Sequence, residues 1–169
     1  MLNLLNASAA TVKDHAADNT VVVSPHHVSL AAGVGASDII SVAGYPTGRH
    51  HTLIKASEAR LAIQSGASEV WVSLDETVAD ANAVLSELIA IREACPEPAR
   101  LGLIVPDAPL ADAAINAAHQ AGYQRLIVRS SEAAGADRAD SGAGAAGMKK
   151  GPALAAATLP VLEFPAALV

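Results

Sequence analysis

The sequence predicts an α/β protein built on a mainly parallel sheet. Three observations carry that expectation: short, near-continuous apolar runs, amphipathic stretches between them, and glycine or proline at most junctions. Val21-Val22-Val23, Val70-Trp71-Val72, Leu101–Val105 and Leu126-Ile127-Val128 read as strands buried on both faces. A helix between two such strands makes them parallel, with a right-handed crossover. A doubly wound parallel sheet is one arrangement that satisfies this pattern.

Taken in order, residues 2 to 17 read as a helix from Leu4-Leu5, weakened by Asn, Ser and Thr. Val21-Val22-Val23 is the first strand, followed by His26-His27 and a short, Gly-interrupted helix to Ala36. The second strand, Ile39-Ile40-Ser41-Val42-Ala43, stops at Gly44-Tyr45-Pro46, because proline cannot donate to a ladder. Thr52 reads as the N-cap of a helix whose apolar face is Leu53, Ala56, Ala59 and Ile63, with Lys55 and Glu58 turned elsewhere. Gly66 is its C′ residue. The third strand runs to Ser73-Leu74-Asp75. Ala81, Val84, Leu85, Leu88 and Ile91 mark the next helix, ended by Pro96 and Pro98. Pro106 stops the fourth strand, Asp107 is the expected N-cap of a helix to Ala121, and Gly122 is its C′ residue. After the fifth strand, glycine recurs too often between 133 and 151 for a rigid helix, so a mobile loop is expected there, with a short helix from Pro152. Residues 159 to 164 read as the last strand.

One domain of 169 residues is expected, long enough to bury a sizeable core. Eleven basic against seventeen acidic side chains give −6 with no basic stripe, which argues against nucleic acid as a partner. No apolar run approaches the ~20 residues of a membrane span. MLNLLNASAA lacks a basic n-region, so a cytoplasmic location is the expectation. The single Cys95 excludes an internal disulfide, and the four aromatic residues leave little for base stacking.

One stretch carries a family resemblance. Val42–Gly48 (VAGYPTG), Lys55–Glu58 (K-x-x-E) and Gly66-Ala67-Ser68-Glu69 resemble, in order and spacing, the turn, helix and strand of the deoxyribose-phosphate aldolase family. The likeness extends over roughly residues 20 to 131. It implies a TIM-barrel-like fold of about six β/α units, incomplete because a full barrel needs ~250 residues. Against the family pattern, strands at the start and end are expected to be absent, and a second copy closing the gap makes a homo-oligomer the expectation. The resemblance also implies a Schiff-base lysine in a K-T-S-T-G run, but the matching position is Ile127, or Arg129 after a two-residue slip. The acid/base aspartate matches Trp71, the second lysine Glu163, and the phosphate-binding glycines Ala166-Ala167. Family residues in the K-V-I-x-E-T strand are likewise replaced across Gly102–Asp107. A divergent, shortened aldolase-like protein without Schiff-base activity is therefore expected, one that binds a small anionic metabolite or acts as an oligomeric partner. An active carbon–carbon lyase using Lys149 or Lys150 is the alternative.

In either fold, ligands sit beyond the carboxyl ends of the strands. That rule selects His26, His27, Arg49, His50, His51, Asp75, Arg129, Ser130 and Glu163 as binding candidates. Histidine pairs after successive strands are possible metal ligands, yet no H-x-H or H-E-x-x-H spacing supports a site. No metal and no cofactor are expected. Arg49 and Arg129 are suited to an anion, or else to salt bridges with Asp75 or Glu163. Ser130, His50 and Asp75 supply the residue types of a hydrolytic triad without a nucleophile elbow.

Overall fold

The computed structural model describes residues 1–107, 109–129 and 158–167. The expected loop over 133–151 and the helix from Pro152 lie outside them. Seven strands form one sheet: β1 (Leu2–Leu4), β2 (Thr20–Val23), β3 (Asp38–Ala43), β4 (Glu69–Val72), β5 (Arg100–Ile104), β6 (Arg125–Val128) and β7 (Val161–Glu163). Every neighbouring pair is parallel and the order follows the chain without reversal. A doubly wound sheet must switch direction, so that alternative is excluded. The helices are α1 (Ala9–His15), α2 (Val28–Gly33), α3 (Thr52–Gln64), α4 (Ala81–Ala94) and α5 (Ala111–Gln120). The result is an incomplete TIM-barrel-like fold.

The sheet curls far enough that Asn3 forms an isolated parallel bridge to Ala167 and donates from Nδ2 to the Pro165 carbonyl at 3.0 Å. A strand at Leu2–Leu4 corrects the helix expected from residue 2, which begins only at Ala9 behind the N-cap Ser8. It also corrects the expectation that no strand precedes Val21. β1 is held by its ladder to Val21–Val23 of β2, and the Asn3 carboxamide adds a bond to the Pro165 carbonyl while accepting from Leu5 N.

Two apolar clusters follow from the period-2 alternation of the strands. Val21, Val23, Ile39, Val70, Val72, Leu101, Leu103 and Leu126 face the helices. Val22, Ile40, Val42, Trp71, Ile104, Ile127 and Phe164 fill the concave side. Trp71 is fully buried, its ring 5.4 Å from that of Phe164 in an edge-on arrangement. It finds room because its register partner on β5 is Gly102. A Cβ on Gly102 would stand 2.7 Å from Trp71 Cδ1 and collide with Ile127 Cδ1. Gly102→Ala is therefore expected to lower stability by about 1–3 kcal/mol. Urea denaturation measures it, and an unchanged midpoint would mean that the interior has slack.

The helices meet expectation in part. On α4 the buried positions are Val84, Leu88 and Ile91, as the spacing requires. Gly66 and Gly122 take positive φ (115° and 73°) just beyond α3 and α5. Asp107 is not the cap of α5, which starts four residues later behind Leu110. The cap of α3 is His51, whose Nδ1 accepts from Leu53 N at 3.2 Å, rather than Thr52. The buried face of α3 is Lys55, Ala56, Ala59 and Ala62, while Leu53 is 67% exposed. Lys55 turns inward because its ammonium finds three oxygen partners there. Among the described residues no helix is long and apolar enough to cross a membrane.

Candidate functional site

The carboxyl ends of β3 and β4 are tied together by one buried ammonium. Gly44 and Gly48 hold φ of 72° and 69°, and Gly48 N donates to Gly44 O at 2.7 Å, closing the turn that contains the cis Tyr45-Pro46 bond. Glu58 on α3 accepts from Gly44 N at 2.8 Å, and Lys55, one turn earlier, donates to Gly48 O at 2.7 Å. Lys55 Nζ also donates to Ser73 O at 3.3 Å and makes an ion pair with Glu87 on α4. The K-x-x-E spacing thus puts both side chains on one helix face, where they grip the two ends of the turn.

The predicted site residues scatter around this mouth instead of converging. Arg49, exposed, lies 3.6 Å from Asp75. Burial raises the Asp75 pKa, but hydrogen bonds from Thr77 N and Oγ1 and the charges of Arg49 and Lys55 outweigh it, leaving a net lowering. Arg129 lies 3.3 Å from Glu76, so its carboxylate partner is neither Asp75 nor Glu163. Its Nε is buried without a hydrogen-bond partner. Glu163 is exposed on β7 and points away from the concave side, since its neighbours Leu162 and Phe164 face inward. It stands at the carboxyl end of β7, as expected, with its side chain turned outward.

The histidines have local roles. His27 shares a hydrogen bond with Ser24 Oγ at 3.3 Å, His26 stands beside it with ring centroids 5.3 Å apart, and His51 caps α3. His50 is exposed. Among the described residues no three His, Cys, Asp or Glu side chains gather as a metal site. Ser130 lies outside the described residues, as do Lys149 and Lys150.

Above Trp71, Tyr45 stacks on Phe164 at 5.5 Å, closing the concave side with aromatic rings. Ile127 is fully buried among them. The inward-facing end of β4 adds Ser73, whose hydroxyl is buried without a hydrogen-bond partner. Below Trp71 the surroundings turn ionic. Trp71 Nε1 donates to Glu69 Oε1 at 2.7 Å, and Glu69 Oε2 lies 3.3 Å from Arg100 Nε and 3.2 Å from Arg125 Nη1. Arg100 extends the network to Asp38 and Ser68. This cluster occupies the amino ends of the strands, the side of such barrels that serves stability. Sequence reasoning missed it. The available signal was Glu69 placed between a turn and a wholly apolar strand.

Comparison with known proteins gives these positions a reference. Over 130 residues the chain is 45% identical to a deoxyribose-phosphate aldolase of Corynebacterium glutamicum, a match covering 74% of this chain and 54% of that one. The chain is a relative of the deoxyribose-phosphate aldolases. It is also 35% identical over 121 residues to the enzyme of that name from Kocuria rhizophila, covering 70% and 51% of the two chains. It thus spans about half the length of these curated aldolases. No family model matches. Among solved structures, the tetrameric deoxyribose phosphate aldolase of Aeropyrum pernix superimposes with a TM-score of 0.62 at 22% identity, covering 75% of this chain and 60% of that one. That likeness supports the aldolase fold.

Proposed function

We propose that this aldolase relative performs no Schiff-base aldol chemistry and works as an oligomeric partner built on the aldolase scaffold. One observation carries the reading: the concave side is filled by Trp71, Ile127 and Phe164 where the resemblance calls for an aspartate and a reactive lysine. Isoleucine offers no nucleophile, and the indole Nε1 only donates, here to Glu69. Lys55, the one fully buried lysine among the described residues, lies toward the helices, held by two carbonyls and Glu87. An amine so held has no free approach to a carbonyl on the concave side. Gly102, which leaves the space that Trp71 occupies, supports the same reading.

Binding of a small anionic metabolite has less support. Arg49 and Arg129 each already face a carboxylate, so an anion would have to displace Asp75 or Glu76.

The test is a retro-aldol assay on deoxyribose 5-phosphate at high protein concentration, with borohydride trapping in the presence of acetaldehyde read by intact mass. The expected outcome is a rate at background and no reduced adduct. A clear rate lost in Lys149→Ala or Lys150→Ala would overturn the proposal in favour of an active lyase.

A further inference from the structure

Two buried polar atoms at the inner mouth have no hydrogen-bond partner among the described residues, the Ser73 hydroxyl and Arg129 Nε. Leaving a buried donor unsatisfied costs more than an ordinary hydrogen bond contributes, so native interiors hold few such groups. The topology directs both atoms to one region. Ser73 continues β4 by one residue, its N donating to Ala43 O at 3.0 Å, and it faces inward like Trp71. Arg129 follows β6 and faces inward like Ile127, one pleat nearer the rim. The registers Val72↔Leu103 and Leu103↔Leu126 put Ser73 level with Ile104 and Ile127. From β6 the Arg129 guanidinium crosses the end of β5 to stand 3.3 Å from Glu76, three residues beyond Ser73, so its Nε lies along the path from β6 to β4. Between them β5 supplies no donor at this height, because Ile104 is apolar and Pro106 has no N–H.

We propose that Ser73 and Arg129 form a binding site for one internal water molecule, which ties the end of β4 to the end of β6 across β5. Its oxygen accepts from Arg129 Nε–H through one lone pair and from the Ser73 hydroxyl through the other. The Glu76 carboxylate, already beside the guanidinium, accepts one of its protons. Three polar partners are the usual complement of a buried water. The chemistry of the surroundings selects a neutral ligand. Arg129 is matched by Glu76 and Arg49 by Asp75, so an ion added at this place would stand unpaired. The ligand is also small, because Ile104, Ile127 and Phe164 are packed together on the concave side beneath it. The inference does not depend on whether any lyase activity remains.

Crystallography and solution relaxation test it on the full chain. A crystal structure of the wild type should show one ordered water within about 3 Å of both Ser73 Oγ and Arg129 Nε. Oxygen-17 magnetic relaxation dispersion counts long-lived internal waters in solution. That count should fall by one in Ser73→Val, whose methyl groups fill the space, and by one in Arg129→Met, which removes the donor. Circular dichroism checks that each variant keeps the wild-type fold. Arg129 stands nearer the rim than Ser73, so Arg129→Met carries the solution test should Ser73→Val fail to fold. A wild-type map without this water, a water that touches only one of the two groups, or an unchanged count in a folded variant would overturn the proposal.

Discussion

Gly48→Ala is expected to destabilise the protein by about 3–5 kcal/mol, the sum of a left-handed backbone penalty and an overpacking penalty. Gly48 holds φ of 69°, which a Cβ disfavours. The larger obstacle is space: an added Cβ would stand 2.5 Å from Asp75 N and overlap the Leu74 carbonyl. Those are backbone atoms of the segment that leaves β4, so no side-chain rotation relieves the clash. The turn would have to lift, and Gly48 O would leave Lys55. Thermal and urea unfolding measure the loss. Gly35→Ala is the control, because φ there is also positive (82°) but nothing lies within 4 Å of the added atom. It should show the backbone penalty alone. Equal effects at the two sites would refute the steric argument.

Lys55→Met should have an effect of the same size, about 3–5 kcal/mol, for an electrostatic reason. The methionine keeps most of the aliphatic packing under Gly44, whose position leaves space for the lysine stem. It removes the ammonium that serves Gly48 O, Ser73 O and Glu87, leaving a carboxylate whose side chain is 18% exposed and two carbonyls to be resolvated. Adding Glu87→Leu should recover a large part of the loss, since removing both charges avoids the orphan. A double-mutant cycle with no coupling would show that Glu87 finds water readily and that the ion pair contributes little.

These two residues also show what could and could not be read from the sequence. The strands from β2 to β6 and helix α4 announce themselves because their patterns are local: Val84, Leu88 and Ile91 recur at helical spacing within a single segment. Gly66 and Gly122 are legible for the same reason. Lys55 is not, because its partners come from Gly48, the end of β4 and the next helix, and nothing near it in the chain advertises them. The pattern of α3 accordingly places Ala56 and Ala59 on the buried face, where they are found, but exchanges Lys55 and Leu53. Strand β1 is hard to see because Leu2-Asn3-Leu4 is three residues long and its support comes from β2 on one side and from Pro165 and Ala167 on the other, all distant in the chain. Of the salt bridges open to Arg49 and Arg129, the one from Arg49 to Asp75 forms, while Arg129 turns to Glu76. Glu163 ends β7 as expected, but which way its side chain turns depends on strand alternation, which the replaced family residues there do not fix.

The grip of Lys55 and Glu58 on the Gly44–Gly48 turn bears on how likeness between chains is weighed. The signature by which this protein is recognised as kin consists of a turn, the two side chains that clasp it, and the Glu69 that anchors the opposite end of the barrel. Within it Lys55, Glu58, Ser68 and Glu69 spend their polar groups on the scaffold itself. Descent, as traced by such a signature, is inheritance of a chassis, and an engine can be taken out of a chassis by changing a handful of letters that barely alter the percentage of identical ones. Assigning a reaction to a relative of this kind therefore means reading the few interior positions, such as 71, 102 and 127, separately from the many that keep the barrel standing.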